Sequence, residues 1–549
     1  MKIKSLISIL LCSALFLCGC SQAQRNNNSS NSEQSGIVSE VKEQEEKESK
    51  LKLSIACSVT DSFNPYNAKT ALNRNLATLM YEPLIELDNS FTPQYRLASK
   101  VDMNKSTVTV TLRTASFSDG SSVTADDVVY CAKKAMKSET RYKYALEDVS
   151  EVSAASYNTV VFKLKKQDPY FINQLDFPIY KAESDKKQSS DNIEIPPISC
   201  GRYSVNSLKT ALNINPYYYG EEPNVKTIYL INTPDQEALS HNLQIGNITY
   251  HYSDLSDCKL LQVRGRYKSV NSNNLVYLGT NMESGLMNDV AMRQVVSAAI
   301  DRESITEGAY YQNAVPTNSI FHPDWSQGDN ITASAQNGIN ENVYLALLDK
   351  IGYNKKDNSG YYVNQAGDRL TLKLVCYKDN SWRTAAAELI KTQLKVAGIK
   401  VSVEKYGWSD YTYALKHGHY DLYIAEVAIG NNMDITELVT KGGSAAYGIS
   451  YNEKAVSSES VSIASSNSSD TDSSNSGENK DCAGDTARAV AKLYKGELAV
   501  TDVATAFFGE MPIIPICYRT GMVSYATALS GISVAVTDVY SGIENAKIN

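Results

Sequence analysis

F-S-D-G-S-S-V-T-A-D-D-V-V-Y, residues 117–130, is punctuated as a tight turn followed by a helix start. Asp119-Gly120 is a turn pair: glycine supplies the backbone freedom and aspartate bonds its own main chain. Thr124 then stands before Ala125-Asp126-Asp127. A hydroxyl ahead of acidic first-turn residues accepts the orphan N–H groups and places negative charge at the positive end of the helix dipole. The helix is expected to run to about Met136. Upstream, Thr107–Arg113 (T-V-T-V-T-L-R) alternates with period two, as does Thr159–Leu164 downstream, and both are expected to be half-buried strands.

The pattern continues outward. A strand over Leu51–Ala56 leads through a turn at Asn64-Pro65-Tyr66 to helical spacing over Leu72–Met80. A strand over Leu275–Leu278 runs to Asn281, and a helix over Val290–Ile300 ends at Asp301, which caps the next one. Thr371–Val375 is a strand. Ala386, Leu389, Ile390 and Leu394 then mark one helix face within Thr384–Val396, closed by Gly398. Ile399–Glu404, an amphipathic stretch from Trp408 to Lys416, and Asp421–Ala425 repeat strand, helix, strand, which defines an α/β lobe. Helices near Ala487–Lys495 and Val503–Phe508 and a buried strand at Ile513–Tyr518 finish the chain. Between them, residues 457–484 form an insertion expected to be disordered, with eleven serines in its first twenty residues.

The 549 residues, 42% hydrophobic and 21% charged, describe a globular protein too long for one core, so two or three domains are expected. A net charge of −8 without a Lys/Arg cluster in the body excludes nucleic acid or an anionic membrane surface as the ligand. The cysteines beyond the N-terminal region (Cys57, Cys131, Cys200, Cys258, Cys376, Cys482, Cys517) lack C-x-x-C spacing, so they assign neither a zinc site nor a disulfide. There is no G-x-S-x-G, H-E-x-x-H, phosphate loop or dinucleotide fingerprint, so no enzyme and no cofactor is expected. His417-Gly418-His419 offers two imidazoles, too few for a closed metal site, and no metal is expected. The 36 tyrosines against 10 phenylalanines suit packing edges and clefts, where a flat apolar face and a polar tip are both used.

At the N-terminus, Lys2 and Lys4 precede an apolar run, Leu6–Leu17, too short to span a bilayer, and then Leu17-Cys18-Gly19-Cys20. This reads as a signal peptide over residues 1–19. Cys20 directly after Leu-x-Gly resembles a lipobox, in which the thiol receives a diacylglycerol. Residues 20–50, polar and without aromatics, are expected to be a lipidated, disordered tether. The mature protein is then expected on the outer face of a cell membrane, or in a periplasm, with the lipid as its only membrane contact.

Phe117–Tyr130 resembles the F-x-D-G-x-P-V-T-A-x-D-V pattern of bacterial extracellular solute-binding proteins of family 5, the oligopeptide, dipeptide and nickel receptors of ATP-driven importers. Further matches follow in order: Ser199–Tyr203, Asn281 with Asp289–Gln294 and Ala299–Arg302, Leu389–Val401, Trp408 with Gly418-x-Tyr420-Asp421, and Pro512–Ile516. The resemblance implies a periplasmic-binding-protein-like α/β fold (class II, cluster C), with two lobes and an extra domain inserted in the first. By analogy, residues 51–84, 199–300 and 506–549 form lobe one, 85–198 the inserted domain and 301–505 lobe two, with hinges around 300–305 and 500–508. It further implies a monomeric receptor that takes a small peptide and hands it to an ABC permease. An extracellular peptide sensor, or a receptor for a nickel chelate or an oligosaccharide, remains open.

In such relatives a peptide adds to strand edges of both lobes. The equivalent edges are Ser58–Asp61, with Ser58 and Thr60, and Ala428–Asn431; Trp408 holds the place of a cleft aromatic, and Asn281 lies in a matched motif. The family's cleft strand carries an Asp that pairs with the peptide's amino group, whereas Gly430 stands at that position here and Val427 replaces a Trp. Glu426 or Asp434 would then serve from a shifted position, because a buried ammonium needs a charge partner. The candidate ligand-binding set is Ser58, Thr60, Asn281, Trp408, Glu426, Ala428, Gly430, Asn431 and Asp434.

Overall fold

The computed structural model describes residues 51–188, 194–283, 285–328, 331, 337–451 and 484–549. The expected signal peptide, Cys20, the tether and the serine-rich insertion up to residue 483 lie outside the described residues. Strand β1 (Ser54–Cys57) is buried along its length. Thr70 caps helix α1 (Ala71–Met80) by accepting the Asn73 N–H at 3.3 Å, and Leu76, Ala77, Leu79 and Met80 turn inward.

Strands β2 (Ala98–Asn104), β3 (Thr107–Leu112), β4 (Val149–Ser156) and β5 (Thr159–Leu164) form an antiparallel sheet in the order β2-β3-β5-β4. Val108, Val110 and Leu112 are buried while the threonines between them are half-buried, the alternation that period two demands. Helix α2 (Ala125–Ala135) packs on this sheet. The Thr124 N–H and hydroxyl both donate to Asp127 Oδ2, at 2.9 and 2.7 Å, and Asp127 Oδ1 accepts the Ala182 N–H at 2.8 Å. One carboxylate thus starts the helix and anchors the returning chain. Helix α3 (Arg141–Ala145) follows.

Strands β6 (Tyr203–Val205), β7 (Ala211–Ile214) and β8 (Thr227–Asn232) rejoin β1 in a sheet of order β1-β8-β7-β6. The larger sheet uses β9 (Tyr250–Ser253), β10 (Gly265–Thr280), β12 (Thr371–Tyr377), β13 (Lys400–Tyr406), β14 (Leu422–Ala428) and β15 (Ile513–Ala526), ordered β9-β15-β10-β14-β12-β13; β11 (Ala314–Pro316) also pairs with β15. At about 3.3 Å per residue the 16 residues of β10 cover roughly 50 Å, more than one small sheet needs. Its first part, Gly265–Val270, pairs with Gly521–Ala526 beside β9; its last part, Asn274–Thr280, pairs with β14 and with Ile513–Arg519. The register breaks between Val270 and Asn274.

Strand β10 therefore crosses from one set of partners to another at residues 271–273, opposite 519–521 of β15, away from the expected hinges around 300–305 and 500–508. Helices α4 (Val290–Ala298) and α5 (Arg302–Tyr310) flank the expected boundary, yet they share one core. Val295, Val296 and Ile300 pack there with Ile305, Ala309, Leu374, Ile424 and Ile390, the last from helix α6 (Ser381–Val396). A capped helix break resembles a hinge in sequence. Here Asp301 only caps α5, accepting the Glu303 N–H at 3.1 Å and the Ser304 N–H at 3.3 Å. Cys57, Cys131, Cys200, Cys376 and Cys517 are buried free thiols and Cys258 a half-buried one, while Cys482 lies outside the described residues.

Candidate functional site

A cavity of about 880 Å³ opens beside the crossing in β10, within the ~300–1,000 Å³ of small-ligand sites. One wall carries Arg74 and Thr78 of α1 and Arg141 and Tyr142 of α3; Lys166, Asp168 and Gln174 come from the stretch after β5. The crossing residues Asn271–Asn273 form the floor, and the segment from Val427 to Asn432, with Asp434 and Glu437, forms the facing wall. The lining holds three cationic side chains (Arg74, Arg141, Lys166) and six acidic ones (Glu139, Glu147, Asp148, Asp168, Asp434, Glu437). Such an excess of negative charge between low-dielectric walls favours cationic groups of a ligand.

Of the expected ligand-binding residues, Ala428, Gly430, Asn431 and Asp434 line this cavity. The others do not. Ser58 has its N–H bonded to Asn73 Oδ1 and its carbonyl bonded by Asn73 Nδ2, both at 2.9 Å, so its main chain is occupied internally; Thr60 is exposed nearby. Asn281 is a brace, donating to the carbonyls of Gly418 and Tyr420 at 3.1 and 3.0 Å. Trp408 opens helix α7 (Trp408–Lys416), packed against Tyr377 and Tyr411 with 61% of its surface exposed. Glu426 accepts from Arg519 Nε at 2.8 Å and is thereby committed to the crossing. At Gly430 an added Cβ would meet Asn432 Oδ1 at 2.7 Å and Gln174 Nε2 at 3.1 Å. Side-chain amides therefore fill the place where the resemblance implied a carboxylate.

The two walls are tied by amides and carboxylates. Asn432 Nδ2 donates to Asp168 Oδ2 at 2.7 Å, Asn431 Nδ2 to Asp176 Oδ2 at 3.2 Å, and Asn173 Nδ2 to the Asn431 carbonyl at 3.1 Å. Burial pushes Asp168 up to about 6, against the bonds it accepts from Asn432 and the Tyr170 N–H. Glu147 is also raised, first by burial and then by the Asp148 charge beside it. Lys166 bridges Asp148 and Asp434 at 3.1 and 3.3 Å. Beside these bonds Tyr170 meets Trp325 and Tyr494 edge-on, at 5.1 and 6.2 Å. Arg141, Lys166, Asp168 and Asp176 were not among the expected ligand-binding residues; the one available signal was the Asn431-Asn432 pair, which needs partners.

Trp325 is 1% exposed at this seam, so its emission reports movement of the walls better than Trp408 does. Trp325→Phe is expected to remove most of any ligand-induced fluorescence change and Trp408→Phe to leave most of it. The reverse pattern in a titration of both variants would refute this.

The family model described as bacterial extracellular solute-binding proteins, family 5 Middle, matches residues 92–447, and the chain belongs to that family. It is 26% identical over 435 residues to the oligopeptide-binding protein AppA of Bacillus subtilis, covering 74% of this chain and 76% of that one. It is 24% identical over 298 residues to a putative ABC transporter peptide-binding protein of Brucella abortus, covering 51% of this chain and 56% of that one, just over half its length. Among solved structures, the unliganded open form of the murein tripeptide binding protein MppA aligns with a TM-score of 0.69 at 18% identity, over 90% of this chain and 97% of that one. NikA from Brucella suis in complex with Fe(III)-EDTA aligns at 0.64 and 16%, over 90% and 100%. The two-lobed α/β fold is thus shared across the family. Among the described residues, no helix is long and apolar enough to cross a membrane.

Proposed function

We propose that this chain is the substrate-binding subunit of an ABC importer, capturing a short peptide between its lobes and releasing it to a membrane permease, without chemistry of its own. One observation carries the peptide reading. The end of β14 pairs with β10 along Leu422–Ala428, but with β12 only at Leu422 and Tyr423, so its far edge is unpaired among the described residues as it enters the cavity. An edge of free main-chain groups accepts an extended backbone whatever its side chains. Ala428 is the main-chain contact this implies, since the carbonyls of Gly430 and Asn431 accept from the Met433 N–H and from Asn173 Nδ2, and Asp434, shared with Lys166, is the partner for the ligand's ammonium. The closed amide seam supports a clamshell that shuts on its ligand. Cys20 would carry the lipid and residues 20–50 the tether that keep a monomeric receptor beside its permease.

Mass spectrometry of ligand released from the purified protein is expected to return peptides. Asp434→Asn is expected to weaken a free-amine peptide about tenfold or more and to leave its N-acetylated form unaffected, since a charged hydrogen-bonded pair contributes ~1.5–3 kcal/mol. Release of a sugar or a metal chelate instead would sink the peptide reading.

A further inference from the structure

Behind the wall of the ligand cavity lies a second, far smaller one, of about 20 Å³. Thr78, Tyr142 and Thr537 line both, so a single layer of side chains separates them. The small cavity is walled by charge: Glu82, Glu86, Asp176 and Asp538 against Arg96 and Arg202. Most of these groups satisfy one another. Arg202 donates Nη1 to Glu544 Oε2 at 2.6 Å, and Nη2 to Asp538 Oδ2 at 2.6 Å and to the Thr78 carbonyl at 3.1 Å. Asp176 Oδ2 accepts from Arg141 Nη2 at 2.5 Å and from Asn431 Nδ2 at 3.2 Å. Two atoms are left over. Arg202 Nε and Asp176 Oδ1 have no partner among the described residues, and the residues that carry them are 3% and 4% exposed.

One of the two is a donor and the other an acceptor, and both belong to charged groups. Leaving such bonds unmade in the interior costs more than immobilising one water. A cavity needs ~10–15 Å³ to admit a water, which must then find polar partners, and this one meets both conditions. Its chemistry selects further. A cation would face the Nε–H of Arg202, and among the described residues no group of three or more His, Cys, Asp or Glu is arranged to hold a metal ion. An anion would face Asp176 Oδ1 and the carboxylates of Glu82, Glu86 and Asp538. A water both accepts from the one atom and donates to the other.

We propose that the small cavity is a site for one buried water, which accepts from Arg202 Nε and donates to Asp176 Oδ1. The water closes a continuous chain of hydrogen bonds. It starts at Asp538 and Glu544 near the C-terminus, passes through Arg202 and the water to Asp176, and ends on Arg141 and Asn431 at the ligand cavity. Asp176 is thereby held from behind while its other oxygen holds both walls. Neither the water nor Arg202 touches the ligand, so the assignment stands whatever the ligand is.

The test is a high-resolution crystal structure of the full chain, from crystals soaked in rubidium chloride. One peak of full water height is expected within hydrogen-bond distance (~2.7–3.2 Å) of both Arg202 Nε and Asp176 Oδ1, without anomalous signal at the rubidium edge. An anomalous peak would make this a cation site, and a cavity without density would make it dry; either overturns the assignment, as does a peak bonded to only one of the two atoms. Crystals of Asp176→Asn supply a second measurement on wild-type packing. They are expected to keep the peak at unchanged height, because a water turns to meet either atom of an amide. Loss of the peak on removing that one charge would show that a cation had been held there, and would overturn the assignment as well.

Discussion

Lowering the pH from 7 to 4.5 is expected to draw about 3 kcal/mol of stability from three buried groups, two histidines and an aspartate, and His322→Phe to remove most of that share. His322 is 0% exposed, with its ring between Phe91 and Tyr518 of β15, at 4.8 and 4.6 Å. Its Nδ1 accepts the Asp324 N–H at 3.1 Å and its Nε2 has no partner among the described residues. Burial depresses its pKa to about 3, and burial likewise lowers His251 to about 4. Above pH 6.5 both rings are neutral in the folded and unfolded chain alike. As pH falls below 6.5 the unfolded chain binds protons that the folded one refuses, and stability is lost until the folded pKa is reached. At 1.36 kcal/mol per unit, two units below 6.5 amount to about 2–3 kcal/mol for each histidine. Asp168 works the other way. Its folded pKa is raised to about 6, so its contribution is fully present below 3.8 and lost as pH rises through 6. Acidification to pH 4.5 thus returns about 2 kcal/mol. The histidines win.

Against a total of ~5–15 kcal/mol this shift is large. Urea midpoints at pH 7 and 4.5 for wild type and His322→Phe measure it directly. Phenylalanine keeps the ring between Phe91 and Tyr518, and the exposed Asp324 exchanges one acceptor for water. A pH dependence identical in both proteins would show that His322 titrates normally.

The same residue shows where the sequence reading stopped. Local rules were sufficient where chemistry is local: Thr124 with Asp127, the T-V-T-V-T-L strand, the capped break at Asp301. The ordered motifs placed the chain in its family, and Ala428, Gly430, Asn431 and Asp434 reached the cavity. What failed was anything needing two distant segments. Glu426 was a reasonable amine partner until Arg519, 93 residues on, claimed it. Ser58 looked like an open edge until Asn73 bonded both its main-chain groups. Asp168 and Asn432 are 264 residues apart, and no periodicity links two segments so distant in the chain. Likewise the change of partners in β10 runs through Ser272-Asn273 inside a strand, with none of the glycine or proline punctuation that marks turns.

That crossing makes Arg519 the second position of large effect. It is 4% exposed on β15, its Nε bonded to Glu426 on β14 and its Nη1 to the carbonyl of Asp254, next to β9. One guanidinium therefore joins β14 to the end of β9 at the point where β10 loses register. Arg519→Met leaves Glu426, whose side chain is 18% exposed, without its partner. Breaking a buried pair on one side costs about 3–5 kcal/mol, because the surviving charge stays desolvated. Glu426→Gln should cost less, since the amide oxygen still accepts from Arg519 and the guanidinium keeps the Asp254 carbonyl. The double variant Arg519→Met/Glu426→Gln should recover part of the single loss, as no uncompensated charge remains. Urea midpoints of the three variants form the cycle. If Arg519→Met alone loses no more than the double variant, the pair is solvated and the lobes are joined by strand pairing alone. If the cycle shows coupling, the two lobes pivot about a charged pin, and closure on a ligand must rotate β10 and β15 around Arg519 without parting it from Glu426.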